Sequence, residues 1–127
     1  MTIKAKLTAF SLLVFLSCLT ISAHAEVHTW VCNFEKRVDE NGTTHDSMRM
    51  IFRIDPLSHK AFMEGNAGIT EVGLHIGGSA FSFTEKLASG AIQTTTITRD
   101  GIAVHSRHTI LIEKILAAQH LGRCAPE

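Results

Sequence analysis

From His28 onward the chain is a succession of short runs in which apolar and polar residues alternate, and each run ends on a turn signal. A period of two places successive side chains on opposite faces of an extended strand, so this rhythm selects antiparallel β-structure. Trp30, Cys32 and Phe34 share one face of the first run, opposite Thr29, Asn33 and Glu35. Asn41-Gly42 follows, a pair that tolerates the positive φ of a tight hairpin. Met48, Met50, Phe52 and Ile54 then share a face, and Asp55-Pro56-Leu57-Ser58 turns the chain. Lys60–Glu64 is a short strand closed by Gly65-Asn66, and Val72, Leu74 and Ile76 alternate in the next. Phe81, Phe83, Glu85 and Leu87 share a face before Ala88-Ser89-Gly90.

The threonines at 94, 95, 96 and 98 give the following run a strong strand preference. Asp100-Gly101 makes another hairpin. Ile102 to Ile112 is the longest run, with Ile102, Val104, Ile110 and Ile112 on one face, read as the inner one. Residues 113–121 are rich in helix formers and read either as a short helix or as a last strand. The expected fold is therefore all-β: a single antiparallel meander of seven or eight strands. Closure into a small barrel, full or partial, hides the sheet edges best, with a sandwich as second choice.

The first twenty-five residues are of another kind. Lys4 and Lys6 precede an apolar run from Leu7 to Ile21, and Ala23-His24-Ala25 supplies small residues at alternate positions. This is the pattern of a cleavable secretory signal peptide, shorter than the roughly 20 apolar residues of a membrane span. Cys18 fits the lipidation site of a bacterial lipoprotein poorly, because Phe15 and Leu16 precede it and apolar residues continue beyond it. The division expected is 1–25 signal peptide and 26–127 one domain, periplasmic or secreted. Residues 26–127 carry a net charge of −2 and no run of Lys or Arg, which argues against a nucleic-acid partner. Membrane insertion after cleavage is not expected either.

Two cysteines remain after Ala25, Cys32 and Cys124, and an oxidising compartment should pair them. Such a bond ties the first strand to the tail and removes about 4–5 kcal/mol of unfolded-chain entropy in the loop-closure picture.

Polar residues on apolar faces mark the candidate site. Ser106 and His108 fall in register with Val104 and Ile110, and Glu85 falls in register with Phe83 and Leu87. If those faces point inward, Glu85, Ser106 and His108 line the interior, where buried polar groups need partners. Glu85 and His108 are natural partners for each other, and the three together are the expected ligand-binding set. A Ser/His/Glu combination also suggests a hydrolase, but the two-residue spacing on one strand offers no nucleophile turn and no oxyanion hole. No cofactor is expected, and no metal: His105 and His108, three apart, face opposite sides of a strand, and the seven histidines after Ala25 are scattered. Asn41-Gly42-Thr43 matches a glycosylation sequon but reads as a turn, as does Gly77-Gly78-Ser79.

Size, strand rhythm, terminal cysteines and Trp30-Val31-Cys32 near the start of the domain resemble the small secreted bacterial barrels of the periplasmic lysozyme-inhibitor type, and more loosely lipocalin-like barrels. The inhibitory loops of the former have no counterpart, and the chain contains no Tyr, so the resemblance implies an architecture and no site residue. The tract Thr94–Thr109 looks most like that of uncharacterised envelope proteins. The expected function is an exported binding protein that holds a small apolar ligand or an envelope protein partner, without catalysis. The alternatives are a hydrolase-like enzyme using His108 with Glu85 or Ser106, and a purely structural envelope protein.

Overall fold

The computed structural model describes residues 26–127; the signal-peptide reading of 1–25, and Cys18 with it, lies outside the described residues. Eight strands follow one another: β1 (His28–Asp39), β2 (Gly42–Asp55), β3 (Lys60–Gly65), β4 (Gly68–Ile76), β5 (Ala80–Lys86), β6 (Ile92–Thr98), β7 (Ile102–Leu111) and β8 (Lys114–Pro126). Each pairs antiparallel with the next, and β1 pairs with β8, so the meander closes into a barrel. The open choice at 113–121 resolves to strand. Pairing on both sides, with β7 and with β1, outweighs the helix preference of that stretch.

The turns as far as β7 fall where the sequence places them. Gly42, Gly68, Gly90 and Gly101 take positive φ. The Asp55 side chain accepts hydrogen bonds from the Leu57 amide and the Ser58 hydroxyl, which locks the β2–β3 turn. The β7–β8 turn has no such residue, and Glu113 itself adopts φ 62°.

Closure rests on the seam between β1 and β8. Cys32 and Cys124 lie directly opposite each other across it and form the disulfide. The register shifts between Phe34 and Lys36. A bulge of this kind resets the alternation: Glu35 and Lys36 are both exposed, and Arg37, paired with the buried His120, turns back inside. Gly122, opposite Phe34, sits where the strands approach so closely that any Cβ would run into the Asn33 carbonyl and the Phe34 backbone.

The core occupies one half of the barrel. Phe52 and Phe83 stack with centroids 4.2 Å apart, Phe81 meets Phe83 edge-on at 5.7 Å, and Trp30 leans on Phe81 at 5.1 Å. Ile97, Ala103 and the disulfide complete this layer. Aromatic contacts of these geometries are each worth about 0.5–1.5 kcal/mol beyond the area they bury.

Candidate functional site

The interior is blocked at mid-height. Between Phe52, Met63 and Phe83 on one side and Thr95 and His105 on the other, the remaining gap has no room for a water molecule. Two separate mouths result.

The first opens at the end where the chain enters. Trp30, Ile54, Leu74, Ile76 and Phe81 line a cup of about 730 Å³, rimmed by His28, His59, Asp55 and Arg99. Its shape follows from the strand pattern: these five positions are inward-facing residues near one end of β1, β2, β4 and β5. Arg99 is held in place by hydrogen bonds that its guanidinium donates to the Gly77 and Gly78 carbonyls. Asp55, bonded to Ser58 and Leu57, is held below the ordinary carboxylate range and stays ionised.

The second mouth sets polar side chains into its apolar walls. Glu85, Gln93, His105 and Arg107 line a cavity of about 380 Å³, with Met48 and Met63 among its apolar walls. Below it, deeper along the β7–β8 wall, lies a buried cluster. Thr95 and His105 are both 2% exposed, and the Thr95 hydroxyl is 2.7 Å from His105 Nδ1. Burial, with neighbouring His120 and Arg107, pushes His105 down to about 4. The ring is therefore neutral at pH 7: Nδ1 either donates to or accepts from Thr95, and Nε2 takes the other role. His120, 3% exposed, has no hydrogen-bond partner among the described residues for either ring nitrogen. Burial lowers it as well, Asp46 at 3.9 Å pulls it upward, and Arg107 and Arg37 add to the lowering. Arg37 in turn pairs with Asp39 at 3.0 Å.

Of the three residues expected to line the interior, only Glu85 does. The inward face of β7 is Ala103, His105 and Arg107, not Val104, Ser106 and His108. Cross-strand pairing fixes this: His105 sits opposite buried Thr95 and buried His120. Ser106 and His108 lie on the outer wall, where His108 is exposed, and the expected Glu85–His108 pair is not formed. The phase misled because the polar face of β7 is the buried one and its isoleucines face out, with Ile102 48% and Ile110 44% exposed. One signal did carry the right phase. Cys32 shares a face with Trp30 and Phe34, so its partner Cys124 must face inward too. Counting back in twos from Cys124 then places His120 and Ala118 inside.

Two other surface features stand out. A depression of about 800 Å³ over the β1–β8 seam is lined by Val31, Leu121 and Ala125 beside Asn33, Glu35, Lys36, Arg99, Asp100 and Arg123. The β7–β8 hairpin runs past its neighbours: no described residue of β6 pairs with β7 beyond Ser106, and β1 pairs with β8 only as far as Ala118. Its tip exposes Leu111 (48%), Ile112 (96%) and Ile115 (65%) and is tethered by a Lys114–Glu40 ion pair of 2.8 Å.

Among the described residues no group of three or more His, Cys, Asp or Glu side chains is placed to hold a metal ion. No family model, curated protein or solved structure matches this chain.

Proposed function

We propose that the protein is an exported binding module that takes a small apolar ligand into the cup formed by Trp30, Ile54, Leu74, Ile76 and Phe81. One observation carries the reading: this end of a closed, disulfide-tied barrel is left unfilled, and its walls are apolar with a few polar groups confined to the rim. Ligand cavities have this composition, an apolar lining that supplies affinity and sparse polar groups that orient. A closed barrel blocked beneath the cup gives a rigid site, so little ordering entropy opposes binding. Export and a place in the envelope belong to the same proposal, supported by the residue pattern of 1–25 and by the disulfide. Likeness to the small envelope barrels is supported by architecture alone.

Trp30 is the only tryptophan of the chain and forms part of the cup wall, so its fluorescence reports occupancy directly. Titration with an apolar probe such as 1-anilinonaphthalene-8-sulfonate, followed by straight-chain alcohols of increasing length, should shift and saturate the Trp30 emission. Leu74→Glu should abolish the response while leaving the far-ultraviolet circular dichroism unchanged. A wild-type emission indifferent to every probe would remove the reading.

A protein partner is the second reading, favoured by the apolar tip of the protruding β7–β8 hairpin. A structural role without ligand is what would remain if both surfaces proved inert. The hydrolase alternative has no assembled constellation to start from, since Glu85 lies inside the wall and Ser106 and His108 outside it.

A further inference from the structure

The second mouth, at the opposite end from the apolar cup, has features of a site in its own right. Three of its lining residues stand in one row across neighbouring strands. Glu85 of β5 is directly opposite Gln93 of β6. The β6–β7 pairing ends at Thr94 and Ser106, and Gln93 and Arg107 are the next residues along their strands. Glu85 and Arg107 are thus two strand spacings apart, about 10 Å between backbones, with Gln93 between them.

All three residues line the cavity, and among the described residues they make no side-chain hydrogen bond or ion pair with one another. Opposite charges on long side chains at this separation could meet. Here they do not come within ion-pair distance, although both are half-buried. Lining an open mouth, both charges keep contact with solvent and are free to meet a ligand that carries both signs. His105 closes the floor, 2% exposed, with Nδ1 engaged by Thr95. The walls are apolar and adaptable, with Met48, Met50 and Met63 on one side and Leu87 on another.

We propose that this mouth binds a small zwitterion of the free amino-acid type, its ammonium group on Glu85 and its carboxylate on Arg107. Gln93 can donate to the carboxylate and accept from the ammonium at once, because its amide offers both roles. The guanidinium fork suits a carboxylate bidentately, and the carboxylate of Glu85 accepts from an ammonium with charge assistance. The methionine walls leave side-chain selectivity loose, in the manner of surfaces that repack around different apolar groups. At about 380 Å³ the cavity has room for an amino acid and not for a folded partner. This site is independent of the apolar cup, since the blocked mid-height of the barrel separates them.

The test is isothermal titration of the intact protein with a panel of free L-amino acids, each alongside its N-acetyl and its carboxamide derivative. At least one free amino acid should bind with a dissociation constant of millimolar or tighter, and blocking either terminus should weaken it about tenfold or more. Glu85→Gln should lower affinity and erase the discrimination against the N-acetyl form. Arg107→Gln should erase the discrimination against the carboxamide. In the wild-type protein the Gln93 side-chain amide resonances should shift on binding, a readout that needs no variant to fold. Absence of binding across the panel overturns the proposal. So does binding that blocked derivatives share equally, or a Gln93 resonance that stays still while heat is released.

Discussion

The half of the barrel around Phe52 and Phe83 and the half around His105 and His120 are built from the same eight strands, yet they are filled in opposite ways. In the first, inward positions carry aromatic and aliphatic side chains in contact, with the Cys32–Cys124 bond in the same layer. In the second, Arg37, Asp46, Glu85, Gln93, Thr95, His105, Arg107 and His120 stand among a few apolar residues such as Met48 and Ala118, and a Thr95–His105 hydrogen bond and an Arg37–Asp39 pair are its main polar links. Burial of apolar area favours folding at about 25 cal/mol per Å², whereas a buried polar group gains only about 0.5–1.5 kcal/mol when hydrogen-bonded and costs about 1–3 kcal/mol when it is not. The stability of the fold should therefore reside in the apolar half, and the polar half should contribute little to it. Each expectation below can break or refine that contrast.

The largest effect should come from the seam. Cys32→Ser with Cys124→Ser opens a loop of 92 residues' separation, and the loop-entropy picture assigns its closure about 4–5 kcal/mol. For a domain of this size that is a large part of total stability. Urea unfolding should show the double variant largely unfolded or strongly destabilised. If the midpoint barely moved, the β1–β8 hydrogen bonds would hold the barrel shut without the covalent tie.

Next comes the core itself. Phe83, 1% exposed and touching both Phe52 and Phe81, should cost about 3–5 kcal/mol when cut to Ala. Gln93→Ala, on the neighbouring strand but in the polar half, should change stability by less than about 0.5 kcal/mol. Comparable losses for the two would erase the distinction between the halves.

Much of this architecture is legible in the residues. Turn chemistry at Asn41-Gly42, Asp55–Ser58 and Asp100-Gly101 marks the hairpins, and the alternation through Trp30–Phe34, Met48–Ile54 and Phe81–Leu87 gives both strands and facing. The two cysteines give the closure. The facing of β7 is where the reading fails, for a physical reason: rules of burial assume that the apolar face is the inner one, and a barrel with a polar interior inverts them. Ile102 and Ile110 are exposed on the outside while His105 is sealed within. Glu85 was legible because Phe81 and Phe83 fix its phase. Arg107 and Gln93 were not, since they sit beside it only through cross-strand register, which two separate turns set. The β7–β8 turn was hidden too, because Ile112-Glu113 carries none of the usual turn residues and Glu113 bears the positive φ unaided.

A smaller effect should appear as the solution is acidified. His105 is held at about 4 by burial, against about 6.5 in an unfolded chain. Between those values the unfolded state binds a proton that the folded state refuses, so stability is full above pH 6.5 and falls as the pH drops toward 4. From pH 6.5 to pH 5, before most carboxylates titrate, His105 alone should remove about 1.5 kcal/mol. His120 is lowered as well and adds a loss of the same sign. Urea midpoints at the two pH values measure the sum, and His105→Gln should flatten the slope. A slope untouched by that variant would place the acid sensitivity elsewhere and leave the polar half with less burial than its geometry implies.

The smallest effect has the opposite sign. His120 is 3% exposed with both ring nitrogens unpartnered among the described residues, and an unsatisfied buried polar group costs about 1–3 kcal/mol. Asp46, 3.9 Å away and 43% exposed, returns little, because the ring is neutral at pH 7 and the carboxylate stays hydrated. His120→Leu keeps most of the volume and removes the cost, so it should stabilise the protein by about 1 kcal/mol and lessen its acid sensitivity together. Most core substitutions destabilise, which makes the sign of this one informative. A gain would mean that the polar half carries a penalty the apolar half offsets. A loss would mean that water reaches the ring and bonds it, and the two halves would then differ in wetness more than in strain.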